Sequence, residues 1–297
     1  AEDGIRDVER SRGLGDVYKR QIPIICIGNI NLGGTGKTST LLEIINHFKI
    51  NNKNICVLLK GYGGKKTIFK KVSPDESAVQ VGDEAILYSN HVPTYISTNR
   101  RLAVKKILDD VNPDFILLDD GFQDKSLFKD KNILTVNGER GFGNGLCLPA
   151  GPLRELIKPA LKKAQFLIIV GDDKTKIKSM YKNINIDTLT ASIKPLYVDK
   201  NKKYLAFSGI GNNQSFFDTL IDNNCTVLKT VEFPDHHFFS ENDLNKLKKI
   251  ASDDNLSLIT TEKDFVRIPK EKRDGIECLK VKIKLHNMDK FMHKLVN

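Results

Sequence analysis

The chain has 297 residues, of which 40% are hydrophobic and 28% charged, with a formal net charge of +10. A sizeable core is within reach of that length, and no stretch approaches the roughly 20 consecutive apolar residues of a spanning helix. The five cysteines (Cys26, Cys56, Cys147, Cys225, Cys278) are scattered and never form a C-x-x-C pair, which argues against a disulfide framework or a zinc site and for a reducing compartment.

Residues 1–21 mix five basic with five acidic residues, show no apolar periodicity, and give way abruptly to the apolar run 22–27. The segment resembles a translated sequencing-adapter artefact. It is expected to be non-native or disordered and is kept out of the fold reading. Its charges balance, so the whole +10 belongs to residues 22–297. A basic body favours anionic partners, whether nucleic acid, acidic lipid or a phosphorylated substrate. No secretory signal is recognisable.

The run 22–27 reads as a short β-branched buried strand ended by Gly28-Asn29. Leu41, Leu42, Ile44, Ile45 and Phe48 then follow at helical spacing. Further strands are expected at 56–59, 115–118, 133–136 and 166–170, with helical stretches from Ala85 and over 103–108. Strands alternating with helices imply a parallel sheet with helices on both faces. The polar, Lys/Asn-rich stretch from Gly171-Asp172 to about Lys203 reads as a linker zone. A smaller α/β unit follows, with strands at 204–207, 226–228, 257–260 and 278–281 and helices near 214–221 and 241–251. The expected organisation is a P-loop NTPase-like α/β domain over 22–190, a linker over 191–203 and a smaller C-terminal α/β domain over 204–297.

Between the first strand and the first helix stands Gly33-Gly34-Thr35-Gly36-Lys37-Thr38. Strand, glycine loop and helix form the context of a phosphate-binding loop. Glycines let backbone N–H groups approach phosphate oxygens, and the helix N-terminus adds partial positive charge. Lys37 is expected on the β- and γ-phosphates and the Thr38 hydroxyl on Mg²⁺. The full pattern asks for a glycine where Asn31 stands. Leu32 occupies the place of the second lysine of partition-type ATPases, and Thr261-Glu262-Lys263-Asp264 has the wrong spacing to read guanine.

Asp119-Asp120 closes the apolar strand 115–118, where an open parallel sheet places its ligands. These carboxylates suit a metal-binding role of the Walker-B type, the alternative being a solvated turn before Gly121. Glu155 beside Arg154 is by itself a surface ion pair or a site element. Asp83 and His236 are a carboxylate and an imidazole of the kind that activates an acceptor hydroxyl. Spacing alone does not bring them together, and the His236-His237 pair reads equally as a structural feature.

Taken in order, Gly28-Asn29, Gly-Gly-Thr-Gly-Lys-Thr, Gly61-Tyr62-Gly63, Gly82-Asp83-Glu84, Asp119-Asp120-Gly121-Phe122-Gln123, Gly151-Pro152-Leu153-Arg154-Glu155, Phe233-Pro234-Asp235-His236 and Thr260-Thr261-Glu262-Lys263-Asp264 resemble the tetraacyldisaccharide 4′-kinases, the lipid A 4′-kinases of Gram-negative bacteria. The resemblance covers about residues 22 to 285. It implies transfer of the γ-phosphoryl of ATP to the 4′-hydroxyl of a tetraacylated glucosamine disaccharide 1-phosphate, making lipid IVA, with ATP and Mg²⁺ as cofactors. It implies a dyad of Asp83 and His236 that activates the hydroxyl. Gly33, Gly34, Thr35, Gly36, Lys37 and Thr38 would bind the nucleotide. Thr38, Asp120, Gln123 and Glu155 would surround the metal and the transferred phosphate, and Tyr62, Arg100, Asp119 and Arg154 would line the same site. Arg100 is preferred to Arg101 from its spacing to Ala103.

The implied partners are an anionic lipid A precursor and the cytoplasmic face of the inner membrane, held peripherally, with no nucleic acid expected. Each basic residue near such a surface contributes roughly 1 kcal/mol. The other class of function left open is a P-loop regulatory ATPase with a nucleic-acid or protein partner. The chain departs from the family pattern at Lys60 (usually Arg), Ala85 (usually Pro) and Asp124 (usually His). Residues 1–21 stand where the family carries a hydrophobic or amphipathic helix, so this chain is expected to bind ATP yet associate poorly with membranes.

Overall fold

The computed structural model describes residues 22–297; the segment 1–21, expected to be non-native or disordered, lies outside the described residues. Thirteen strands are described: β1 (Ile24–Gly28), β2 (Ile55–Leu59), β3 (Lys70–Lys71), β4 (Thr94–Ile96), β5 (Phe115–Asp119), β6 (Lys131–Asn137), β7 (Phe166–Val170), β8 (Asp187–Pro195), β9 (Lys203–Ser208), β10 (Thr226–Glu232), β11 (Ser257–Thr261), β12 (Ile276–Leu279) and β13 (Val281–Leu285). The helices among them are α1 (Lys37–Ile50), α2 (Ala78–Val81), α3 (Asp83–Ser89), α4 (Arg100–Val111), α5 (Ile157–Lys163), α6 (Ile177–Met180), α7 (Asn213–Asp222), α8 (Glu241–Asp253), α9 (Glu262–Arg267) and α10 (Met288–Val296).

Nine strands form one sheet in the order β13-β8-β7-β6-β1-β5-β2-β4-β3, and β10-β9-β11-β12 form a second. Every pairing is parallel except β13 with β8 and β3 with β4, at the two edges of the large sheet. The central strands are buried along their whole length because both faces are covered. Side chains alternate between two cores at the strand period of two. Ile25, Ile27, Val57 and Leu117 join Leu41, Ile44, Ile45 and Phe48 of α1 on one face. Cys26, Cys56, Leu58, Ile116 and Leu118 join Ala103, Val104 and Ile107 of α4 on the other.

The order also locates the ligand-binding edge. From β1 the chain runs outward through β2 and β4, returns as β5 beside β1, then crosses to β6 on β1's other side. Such a reversal opens a crevice beyond the carboxyl ends of the strands. β1 and β5 pair with Ile27 opposite Asp119, so the glycine loop and the two aspartates leave the sheet side by side.

Two features differ from the sequence reading. The polar stretch read as a linker contains β8, a strand of the large sheet; its outward residues are polar because it lies towards the sheet edge, and only Ala191 is fully buried. The single strand expected at 278–281 is two strands parted at Lys280. β12 pairs with β11 in the small sheet and β13 with β8 in the large one. The chain therefore passes between the sheets twice, at 196–202 and at Lys280, and Leu196 N donates to Lys280 O at the crossing (2.8 Å). Helix α10 follows β13 back, burying Phe291, Met292 and Leu295 in the large unit's core, although the sequence assigned 204–297 to the smaller one.

Two glycine motifs find their reason in a close approach of loops. Gly82 sits at φ 90°, ψ 150°, a region open essentially to glycine alone, and a Cβ there would lie 2.5 Å from the Tyr62 carbonyl oxygen. The contact fixes the first turn of α3, where Asp83 and Glu84 stand. Gly82→Ala is expected to cost about 1–3 kcal/mol, measurable as a lowered urea midpoint at unchanged slope; an unaltered midpoint would refute this account.

Candidate active site

The phosphate loop is tied down from both sides. Asn29 Nδ2 donates to Thr35 Oγ1 (3.0 Å), the Thr35 and Thr135 hydroxyls lie 2.9 Å apart, and Thr135 Oγ1 donates back to Gly28 O (3.3 Å). Gly36 opens α1 at φ 78°, and a Cβ there would meet Val170 Cγ1 at 2.8 Å, so glycine is required by both conformation and space. Asn31, where the loop pattern asks for glycine, is buried and donates to Gly141 O (3.0 Å). On either side of it Leu32 N donates to Pro152 O (2.8 Å) and Arg154 N to Ile30 O (2.7 Å). That rung delivers Arg154 and Glu155 to the loop.

Lys37 Nζ lies 3.2 Å from Asp119 Oδ1 and 3.1 Å from Asp120 Oδ1. Burial disfavours its charge, but Asp119, Glu84 and Asp120 outweigh that and hold its pKa above the ordinary lysine value. Asp119 is fully buried. Burial pushes its carboxyl up to about 6 against the pull of Lys37. Tyr88 donates to its Oδ2 (3.0 Å), while Oδ1 accepts no aligned hydrogen bond. Asp120 sits at φ 49° and turns outward to Arg154 Nη1 (3.1 Å). Its own desolvation is overcome by Lys37 and Arg154, and its pKa is lowered.

The smaller unit closes on this group. Thr38 Oγ1 donates to Glu84 Oε1 (3.0 Å), which also receives Lys263 Nζ (2.7 Å) from α9. Burial opposes the Glu84 charge, but Lys263 and Lys37 hold its pKa well below the usual carboxylate range. His236 Nδ1 lies 3.7 Å from Asp83 Oδ2, and its ring stands edge-on to Tyr62 with centroids 5.1 Å apart. Arg267 connects the pair: Nε donates to Asp83 Oδ2 (3.0 Å), and Nη2 contacts both Asp83 and His236 Nδ1 (3.3 Å to the latter). At the loop itself a Cβ on Gly211 would lie 3.3 Å from Gly33 Cα, and Arg140 Nη2 donates to Asn212 Oδ1 (2.5 Å).

A family model described as tetraacyldisaccharide-1-P 4′-kinase matches residues 4–297. The chain belongs to that family. Among curated relatives it is 34% identical over 282 residues to a tetraacyldisaccharide 4′-kinase of Gluconobacter oxydans, covering 92% of this chain and 84% of the relative. It is 35% identical over 275 residues to that of Rickettsia bellii, with the same coverage. A crystal structure of LpxK from Aquifex aeolicus in complex with ATP superposes with a TM-score of 0.74 at 25% identity, covering 93% of this chain and 89% of the other. The α/β P-loop fold is thus shared with a family structure that holds ATP.

Of the residues the family resemblance singles out, the structure joins Lys37 to Asp119 and Asp120 and Asp120 to Arg154 through direct contacts; Thr38 meets Glu84, the neighbour of Asp83, and Asp83, His236 and Tyr62 stand in succession. Gln123 Nε2 donates to Glu155 Oε1 and to Asn29 O (3.0 Å each), and Lys163 Nζ donates to Glu155 Oε2 (2.6 Å). Gln123 and Glu155 therefore adjoin the loop's stem, apart from Thr38, whose hydroxyl is directed to Glu84. Arg100 is buried and faces the aspartates from behind: it donates to the carbonyls of Asp119 (3.2 Å) and Asp120 (3.0 Å) and to Asp124 Oδ2 (2.7 Å). Exposed Arg101 binds Ser126 O (2.6 Å). Sequence reasoning gave no role to Glu84, Lys263 or Arg267. The first two stand inside quoted motifs; Arg267 carried no signal, being one turn beyond Asp264 on α9.

Burial favours the protonated form of Asp119, so between pH 3.8 and about 6 the native state binds more proton than the unfolded chain. Stability from this group is present below pH 3.8 and is lost as the pH rises through about 6. Asp119→Asn removes the dependence. Relative to wild type it should gain stability from about pH 4 to about pH 6 and level off above that, as read from urea midpoints across the range; a difference that is flat or opposite in slope contradicts the burial argument.

Proposed function

We propose that the chain transfers the γ-phosphoryl group of ATP to the 4′-hydroxyl of tetraacyldisaccharide 1-phosphate, forming lipid IVA in lipid A biosynthesis. One observation carries the site-level reading: the phosphate loop with Lys37 stands on the large unit beside Asp83, His236 stands on the small unit 3.7 Å from Asp83, and Thr38, Glu84 and Lys263 link the loop to that small unit. A donor site and an acceptor base must meet in this way for in-line transfer.

In this reading the backbone N–H groups from Gly33 to Thr38 hold the phosphates of ATP, and Lys37 moves from Asp119 and Asp120 to the transferring phosphoryl. The hydroxyl proton passes to the Asp83–His236 pair as the bond to phosphorus forms, while Arg154 balances charge beside the phosphate. Tyr62, exposed and packed edge-on to His236, guides the sugar. Arg100 acts through the Asp119–Asp120 backbone it clamps. The Thr38 hydroxyl and the carboxylates of Asp120 and Glu155 are hard oxygen donors suited to Mg²⁺. Thr38 and Asp120 would hold the ion, with Gln123 and Glu155 contributing from the loop's stem, and the ion would supply neutralisation of phosphate charge.

The units divide the work as a P-loop kinase domain built on the nine-stranded sheet, residues 22–195 with β13 and α10, and a smaller acceptor-side domain whose β9–β12 sheet carries His236. The net charge of residues 22–297 suits peripheral residence on the anionic cytoplasmic face of the inner membrane, and no helix among the described residues is long and apolar enough to cross a membrane. The regulatory-ATPase reading is not favoured, since the family is that of a kinase.

The test incubates the protein with labelled ATP, Mg²⁺ and tetraacyldisaccharide 1-phosphate in detergent. Labelled lipid is expected, and Asp83→Ala or His236→Ala should lower kcat by about 10²–10⁴-fold while ATP still binds. Folded wild-type protein that labels no lipid refutes the function; variants of unchanged rate refute the base assignment alone.

A further inference from the structure

We infer that Arg267 is the positioning residue of the proposed Asp83–His236 base, and this rests on that functional reading. At 3.7 Å the His236 Nδ1 to Asp83 Oδ2 separation exceeds hydrogen-bond length, so the two groups are not held by each other. Arg267 touches both. Its Nε and Nη2 fork onto Asp83 Oδ2, and Nη2 also reaches His236 Nδ1.

The guanidinium is itself fixed from the opposite side. Nη1 donates to Gly209 O (2.6 Å) and to Asp264 Oδ1 (3.0 Å). Asp264 is completely buried and satisfied by Ser208 Oγ (3.0 Å), Thr261 Oγ1 (2.7 Å) and Gly209 N (3.1 Å). The Arg267 side chain is 2% exposed and that of Asp83 4%. Its planar fork reaches four partner atoms at fixed angles, Asp83 Oδ2, His236 Nδ1, Gly209 O and Asp264 Oδ1, which a lysine ammonium does not reproduce. The same Gly209 carbonyl accepts His236 N (3.0 Å), so the backbone carrying His236, with its left-handed φ of 60°, and the guanidinium share one anchor. Arg267 transmits the geometry of the small unit to a carboxylate of the large one and sets the base against the phosphate loop. It touches neither reacting oxygen nor phosphorus and acts through Asp83 and His236.

Arg267→Gln and Arg267→Lys are compared in the wild-type chain and in the Asp83→Ala chain, with kcat, KM for ATP and thermal melting measured for each. Misplacing a catalytic group by about 1 Å costs about 10²-fold. The expected result for Arg267→Gln is a fall of that order in kcat with KM for ATP within about two-fold, partly recovered by Lys. In the Asp83→Ala chain neither substitution should lower kcat further, since nothing remains to position. An unchanged kcat in Arg267→Gln overturns the inference, as does an equal fold-loss in both backgrounds, which marks general destabilisation. Should the glutamine variant fail to melt cooperatively, Arg267→Lys keeps the charge and carries the comparison: kcat equal to wild type overturns the inference. Full activity of Asp83→Ala alone refutes the base assignment and is seen without any change at Arg267.

Discussion

Charges removed from water must be paired, and at the junction of the two units this requirement sets the arrangement of everything else. Lys37 lies between Asp119 and Asp120, Glu84 between Thr38 and Lys263, and Arg267 between Asp83 and Asp264. Removing one partner of such a set leaves an uncompensated buried charge, which costs far more than the pair contributes. Each half of the junction therefore depends on the other for its electrostatic balance. The apolar cores, by contrast, are largely separate: the large sheet's two clusters do not merge with those of the small sheet.

A junction held mainly by polar groups responds to a polyanion. In the proposed function the cation that pairs the aspartates is the one presented to phosphate, and the carboxylate that receives the Thr38 hydroxyl also receives Lys263 from the other unit. On that proposal, nucleotide charge arriving at Lys37 would act next to Glu84, whose pair with Lys263 joins the units, and polar interfaces of this kind permit relative motion. The two chain crossings, at 196–202 and at Lys280, leave the small sheet on a narrow double connection to the large one.

Much of the fold was legible from pattern. The apolar runs that became β1, β2, β5, β6 and β7 are buried on both faces, so hydrophobicity alone marks them, and α1 places Leu41, Ile44, Ile45 and Phe48 in the core as its spacing indicates. β8 and β13 escaped notice for a shared physical reason. They lie at the sheet's edge side, where alternate residues face solvent, and their polar positions read as linker and as the tail of a neighbouring strand. The site divides in a similar way. Lys37, Thr38, Asp119 and Asp120 sit where strand ends must place them. The inward burial of Arg100 depends on Asp124, twenty-four residues away, and follows from no local pattern.

By itself the sequence determined the phosphate loop, the carboxylates at the end of β5, the alternation that makes a parallel sheet, and the family whose motifs follow in order. These are local facts: a glycine that tolerates positive φ, a period of two or of 3.6, a short motif at a sheet edge. Only the tertiary structure decided that Glu84 joins Thr38 to Lys263, that β13 and α10 return to the first sheet, and that Arg267 stands between Asp83 and His236. Those pairings span up to 184 residues, and they exist because buried charges on separate units meet once the chain has folded.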